Sequence, residues 1–163
     1  MLLMSSAVIA QKRVALVIGN SDYSEDIGVL KNPVNDATDI TKALKAMGFT
    51  VISKLNANKQ QMKKAISQFG KQLVEPDSVG LFYFAGHGVQ VKNRNYLVPI
   101  GAMIDGETDV EFETIDAGRV LGKMEAAGNG LNLVILDACR DNPFGGSFRS
   151  AFSRGLARIP VPK

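Results

Sequence analysis

The chain holds one histidine and one cysteine, His87 and Cys139, and each stands where an apolar run ends. His87 lies between Gly86 and Gly88, just after the run SVGLFYFA, and Cys139 follows LNLVILD through Ala138. A thiol is a poor nucleophile until it loses its proton. A neighbouring imidazole can accept that proton, hold the thiolate, and later protonate a leaving amine. Glycines beside the histidine let a substrate backbone approach closely. The backbone N–H groups of Gly88 and Cys139 are candidate oxyanion donors for charge developing on an attacked carbonyl oxygen. A lone cysteine is most often a small buried hydrophobe, so the dyad depends on a fold that brings the two residues together. One cysteine permits no intrachain disulfide, and a single histidine leaves no ordinary zinc-ligand spacing.

The elements that must position this pair are legible as alternating strand and helix signals. A length of 163 residues predicts one domain, and 45% hydrophobic with 21% charged residues is enough apolar material for a core. A net charge of +3, with no basic run interleaved with aromatics, gives no case for nucleic acid. RVALVIG (residues 13–19) is a nearly continuous apolar run, as in a strand buried on both faces. Pro33 opens a helix with Val34, Ala37, Ile40, Leu44 and Met47 on one stripe, and Gly48 stops it. Residues 49–55 read as a second strand. Asn58 caps a helix bearing Met62, Ala65, Ile66, Phe69 and Leu73. Residues 78–85 form a third strand, residues 89–99 a hairpin turning at 92–95, and residues 131–137 a fourth strand. Between them lies an acidic stretch over residues 105–116, which reads as a solvated loop, and a helix capped by Asp116 whose Gly118 and Gly122 suggest close packing. Repeated β-α-β units imply a parallel sheet with helices on both faces. Right-handed crossovers then place His87 and Cys139 past the C-terminal ends of their strands, where sites form in such sheets.

FAGHG (residues 84–88) and DACRD (residues 137–141) together resemble the caspase and metacaspase group of cysteine peptidases. In the caspase signature an Ala-Cys-Arg centre follows the histidine by about 50 residues, as here. Asp137 and Asp141 stand in place of the signature's leading Gln and trailing Gly. RVALVIGNSDY and NPVNDA are also similar to bacterial metacaspase-like domains. The resemblance implies an α/β three-layer sandwich with a mainly parallel sheet and helices on both faces. It also implies that this chain lacks the last two strands of a complete domain, as a fragment, a processed subunit or a shortened protein would. The catalytic large-subunit portion is then residues 12–145, and residues 146–163 a flexible, processed segment. An acidic primary pocket, holding Arg or Lys of a substrate, would use Asp36 and Asp137. Ala85 replaces the Ser that commonly precedes Gly-His and would alter the pocket wall. Many metacaspases are activated by calcium, but the acidic stretch lacks EF-hand spacing.

The resulting expectation is a thiol endopeptidase acting on peptides or proteins after Arg or Lys. It has no organic cofactor and no nucleic-acid partner, no metal ligands are assigned although calcium stays open, and a smaller C-terminal fragment or another subunit could complete it. The alternative is a catalytically silent caspase-like interaction module. Arg149, Arg154, Arg158 and Lys163 are candidate self-cleavage points in a Gly/Ser-rich tail. Residues 1–11 read as the remnant of a secretory signal, which implies a periplasmic or secreted protein, with a cytoplasmic one as the alternative. No apolar run reaches transmembrane length.

Overall fold

The structure, a computed structural model, describes residues 11–139. Along the chain come β1 (Arg13–Gly19), α1 (Pro33–Ala46), β2 (Thr50–Leu55), α2 (Lys59–Gln72), β3 (Val79–Val91) and β4 (Arg94–Leu97). Then follow α3 (Glu107–Glu113), β5 (Ile115–Asp116), α4 (Ala117–Ala126) and β6 (Leu131–Cys139). The sheet has six strands. β2, β1, β3 and β6 are parallel neighbours in that order, while β4 pairs antiparallel with β3 and β5 with β4. This is the mainly parallel α/β sheet expected, with two short antiparallel strands added at one end.

The two faces of the sheet are covered by different helices. Ala15, Val17, Leu81, Tyr83 and Ala85 pack under α1 through Ala37 and Leu44. Leu16, Ile18, Phe82 and Phe84 point the other way, into a larger cluster with Met62, Ile66 and Phe69 of α2 and Val120 and Met124 of α4. Because both faces are buried, β1 and β3 carry apolar residues at nearly every position rather than alternating. Pro33 begins α1, where its missing N–H costs no intrahelical bond, and Gly48 follows the helix at φ +81°. Asn58 caps α2 by accepting from the Gln61 N–H, while the Gln61 side chain accepts from the Asn58 N–H. Asp116 caps α4 by accepting from the Gly118 N–H.

Several expectations are corrected. β3 does not stop at Ala85. Its ladder with β1 ends at Gly19↔Ala85, but pairing with β6 continues to His87↔Cys139, and β4 pairs onward from Gly88. His87 therefore sits inside a strand, not in a loop past its end. The hairpin does turn where expected, at Lys92 and Asn93, both with positive φ as a two-residue turn requires. The acidic stretch contains α3 instead of being loop throughout, and Met47 is 54% exposed because it lies beyond the last buried turn of α1. Gly122 has open space where a side chain would go, and Gly118 is exposed, so neither serves close helix packing.

One fully buried side chain ties the ends of three elements together. Asn20 follows β1. Its Oδ1 accepts from the Ala57 N–H at 2.8 Å, and its Nδ2 donates to the carbonyls of Ala57 at 3.2 Å and Val98 at 3.3 Å. The Asn20 N–H itself donates to the Ala85 carbonyl. Replacing it with Ala leaves buried backbone groups without partners, at about 1–3 kcal/mol. Urea unfolding of Asn20→Ala is expected to show a loss of that size. A change under about 0.5 kcal/mol, the range of ordinary surface substitutions, would contradict the bracket.

Candidate active site

His87 is held from three directions. Its N–H donates to the Tyr23 hydroxyl at 3.1 Å, and its carbonyl accepts from the Val98 N–H at 3.0 Å. The Tyr23 hydroxyl in turn donates to the Val98 carbonyl at 3.0 Å. The Tyr23 ring meets the imidazole edge-on, with centroids 4.6 Å apart and planes at 61°. This contact explains Gly86, because a Cβ there would stand 2.6 Å from the Tyr23 oxygen, and its φ of +155° favours glycine as well.

The ring's protonation follows from its partners. His87 Nε2 lies 2.7 Å from the Gly28 carbonyl oxygen. A carbonyl can only accept, so Nε2 carries the hydrogen and neutral His87 keeps its lone pair on Nδ1. Nδ1 is buried and meets no hydrogen-bond partner among the described residues. Burial lowers the His87 pKa from its ordinary value, and the Gly28 carbonyl opposes that shift. The result is a neutral imidazole with its basic nitrogen free, the form that can take a proton from a thiol.

β6 carries Cys139 into register with His87. In parallel strands, residues in register present side chains to the same face. Cys139 is the last described residue, and its side chain lies outside what the structure describes. The candidate self-cleavage residues Arg149, Arg154, Arg158 and Lys163, and the signal-like residues 1–10, also lie outside the described residues. The Val98-to-His87 bond makes Gly88↔Leu97 a pair that exchanges no hydrogen bond of its own. The Gly88 N–H therefore faces away from β4, toward the side on which β6 ends.

Asp36, Asp137 and Ala85 line one cavity of about 340 Å³, together with Leu30, Pro33 and Gly86. Asp36 comes from the first turn of α1 and Asp137 from the end of β6, so only the folded sheet brings them together. Lys31, Asn32 and Ala138 complete the lining, which leaves two carboxylates facing one exposed lysine. Beneath them Tyr83 donates to Asp137 Oδ2 at 3.2 Å. Burial first, then the charge of Asp137, its hydrogen bond and the charge of Asp36, push the Tyr83 pKa up to about 12. The hydroxyl stays protonated and donates to a carboxylate.

Asn20 belongs to the framework, whereas Tyr23 touches the site directly. Tyr83 was missed as a site residue because it sits in an apolar run. The signal was its period-two relation to Ala85 and His87, which puts all three on one face of β3. The Gly28 carbonyl has no side-chain signature to find. Within the acidic stretch two carboxylates already have partners. Asp109 accepts from the N–H groups of Asp105 and Gly106, and Asp116 is engaged by Arg94 and Gly118. No three His, Cys, Asp or Glu side chains among the described residues converge as metal ligands would.

The caspase-domain family matches residues 12–157. The chain belongs to that family of cysteine peptidases. It is 32% identical, over 132 residues, to the human mucosa-associated lymphoid tissue lymphoma translocation protein 1, and to its mouse homologue to the same degree. The match takes in 81% of this chain but 15% of either relative, so the chain spans about a seventh of their length. A crystal structure of a Geobacter sulfurreducens protein shares the fold with a TM-score of 0.54, at 24% identity over 78% of this chain and 50% of that one. The family, the parallel sheet and the helices on both faces agree with what the FAGHG and DACRD motifs implied. No helix among the described residues is long and apolar enough to cross a membrane.

The lowered His87 pKa has a consequence for stability. An unfolded chain takes up a proton near the ordinary pKa of about 6.5, while the folded chain resists it. The resulting stabilisation is complete above that value and is lost as pH falls from there through the lowered one. Denaturant unfolding from about pH 7.5 down to about pH 5 should show this loss, and His87→Gln should remove part of it. The same pH slope in both proteins would refute the assignment of a buried neutral imidazole.

Proposed function

We propose that this chain is a cysteine endopeptidase that cuts after Arg or Lys, with Cys139 as nucleophile and His87 as general base and acid. The observation that carries the reading is the in-register pairing of His87 and Cys139 beside a cavity lined by Asp36 and Asp137. His87 Nδ1 takes the thiol proton, and the thiolate sulfur attacks the carbonyl carbon of the scissile bond. The carbonyl oxygen becomes an oxyanion toward which the N–H groups of Gly88 and Cys139 are the candidate donors. On collapse the C–N bond breaks, and the amine leaves with the proton held on Nδ1. Water then attacks the thioester, giving its proton to Nδ1, and the sulfur leaves as the free thiol once that proton returns. The Nε2–Gly28 bond keeps the ring oriented through both halves.

The carboxylates of Asp36 and Asp137 would hold a guanidinium or ammonium group by charge-assisted hydrogen bonds. With Ala85 in the wall, the cavity has room where a serine hydroxyl would otherwise stand. A basic substrate residue also suits the tail, whose Arg149, Arg154, Arg158 and Lys163 make self-cleavage part of the proposal. The second reading, a silent interaction module, draws support from Leu131, Leu133 and Ile135. These are exposed along one face of β6, as a surface awaiting a partner would be.

Fluorogenic peptides ending in Arg, Lys, Asp or Asn distinguish these readings. The unmodified chain is expected to cleave after Arg and Lys, and Cys139→Ala to lose at least about a thousandfold of that turnover. No turnover by the unmodified chain, or full turnover by Cys139→Ala, rejects the peptidase. Asp36→Asn and Asp137→Asn should each lower kcat/KM for Arg substrates by about ten- to a hundredfold, mostly through the basic side chain's binding. Preferred cleavage after Asp by the unmodified chain rejects the acidic pocket.

A further inference from the structure

A second and larger cavity, of about 560 Å³, opens between α2 and α4 and shares no lining residue with the cavity at Asp36 and Asp137. Its size falls in the range of small-molecule sites. Lys59 and Lys63 stand one turn apart on α2, and Arg119 and Lys123 one turn apart on α4, so four cations face each other across the opening. None of the four is ion-paired among the described residues. Two carboxylates also line it, and they do not balance the cations. Asp116 is committed to Arg94 and the Gly118 N–H, and Glu111 is exposed at the rim. Both helices begin beside the cavity, Lys59 being the first residue of α2 and Asp116 the cap of α4. The N-terminal dipole of α2 therefore adds to the positive field, while the Asp116 carboxylate offsets that of α4.

The floor has the opposite character. Ile66, Ile115 and Val120 are buried beneath the opening, and Tyr96 closes one end. Phe112 of α3 forms a wall while remaining 71% exposed. A phenyl ring left in water beside an apolar floor forgoes burial worth about 25 cal/mol per Å². Inorganic anions would use the rim and ignore the floor, and neutral hydrocarbons would do the reverse. Only a molecule with both parts uses the whole cavity.

We propose that this cavity binds a small organic anion, an aromatic ring carrying a carboxylate, sulfonate or phosphate. The ring packs on Ile66, Ile115, Val120 and Phe112, and the anionic group lies among Lys59, Lys63, Arg119 and Lys123. The inference does not rest on the peptidase reading, since binding is read directly and in the absence of any substrate.

Methyl NMR of the full chain tests it, with naphthalene-2-sulfonate as the probe and 2-naphthol and inorganic phosphate as its two halves. The sulfonate is expected to shift the methyls of Ile66, Ile115 and Val120 saturably, and more tightly than either half. Raising ionic strength from about 0.01 M to about 1 M should weaken it. Lys63→Glu with Arg119→Glu, both exposed positions, should weaken binding at least about tenfold, and Phe112→Ala should weaken it with no charge changed. Equal binding of 2-naphthol overturns the role of the cations. Binding of phosphate as tight as the sulfonate overturns the role of the floor. Shifts confined to Leu131, Leu133 and Ile135 of β6 would place the probe elsewhere and defeat the proposal.

Discussion

The parallel register of β3 against β6 is the constraint on which the site depends. A slip of one residue would turn every β6 side chain to the opposite face, separating Cys139 from His87 and Asp137 from Tyr83 together. The register is pinned at the start of β6. The Asn129 side chain donates to the Ser78 carbonyl, the Leu131 carbonyl and Asn132 Oδ1, while the N–H groups of Gly130 and Leu131 also reach the Ser78 carbonyl. Gly80 permits the close fit that follows. A Cβ there would stand 2.8 Å from Asn132 Oδ1 and about as close to the Leu73 methyls. A lock at one end of a nine-residue strand thus decides which side chains meet at the other.

The histidine is oriented by neutral partners. A carboxylate at Nε2 would raise the imidazole's pKa and hold it charged near neutral pH. The Gly28 carbonyl supplies direction and the tautomer with a weaker electrostatic pull, so burial dominates and the ring stays neutral. Tyr23 does the equivalent work for the backbone, since its hydroxyl bridges the His87 N–H and the Val98 carbonyl. Glycine at position 86 is what lets that hydroxyl come near enough.

Two cavities with opposite charge excess lie on opposite faces of the sheet. Acidic groups collect where α1 begins and β6 ends, over a tyrosine that burial and their own charge keep protonated. Basic groups with no ion pair among the described residues collect on α2 and α4, on the other face of the sheet, around an apolar floor. The net charge of +3 does not report these two local fields.

Much was decided by local chemistry that can be read along the chain. The apolar runs, Pro33, Gly48, Asn58 and Asp116 determine where strands and helices begin and end, because capping, breaking and burial act over a few residues. The motifs around His87 and Cys139 carry the family, since their residue types are the chemistry. What the chain alone could not show is what depends on partners distant in sequence. β3 continues through His87 because β4 and β6 satisfy its backbone there, which no local propensity reports. Asp36 and Asp137 stand far apart in the chain, so only the family resemblance could pair them beforehand, and their shared cavity exists only once α1 lies over the sheet. The Gly28 carbonyl and the Tyr83 hydroxyl act through position, and position is a product of packing. The cationic rim is the same case: four ordinary surface cations become one field only when α2 and α4 lie side by side.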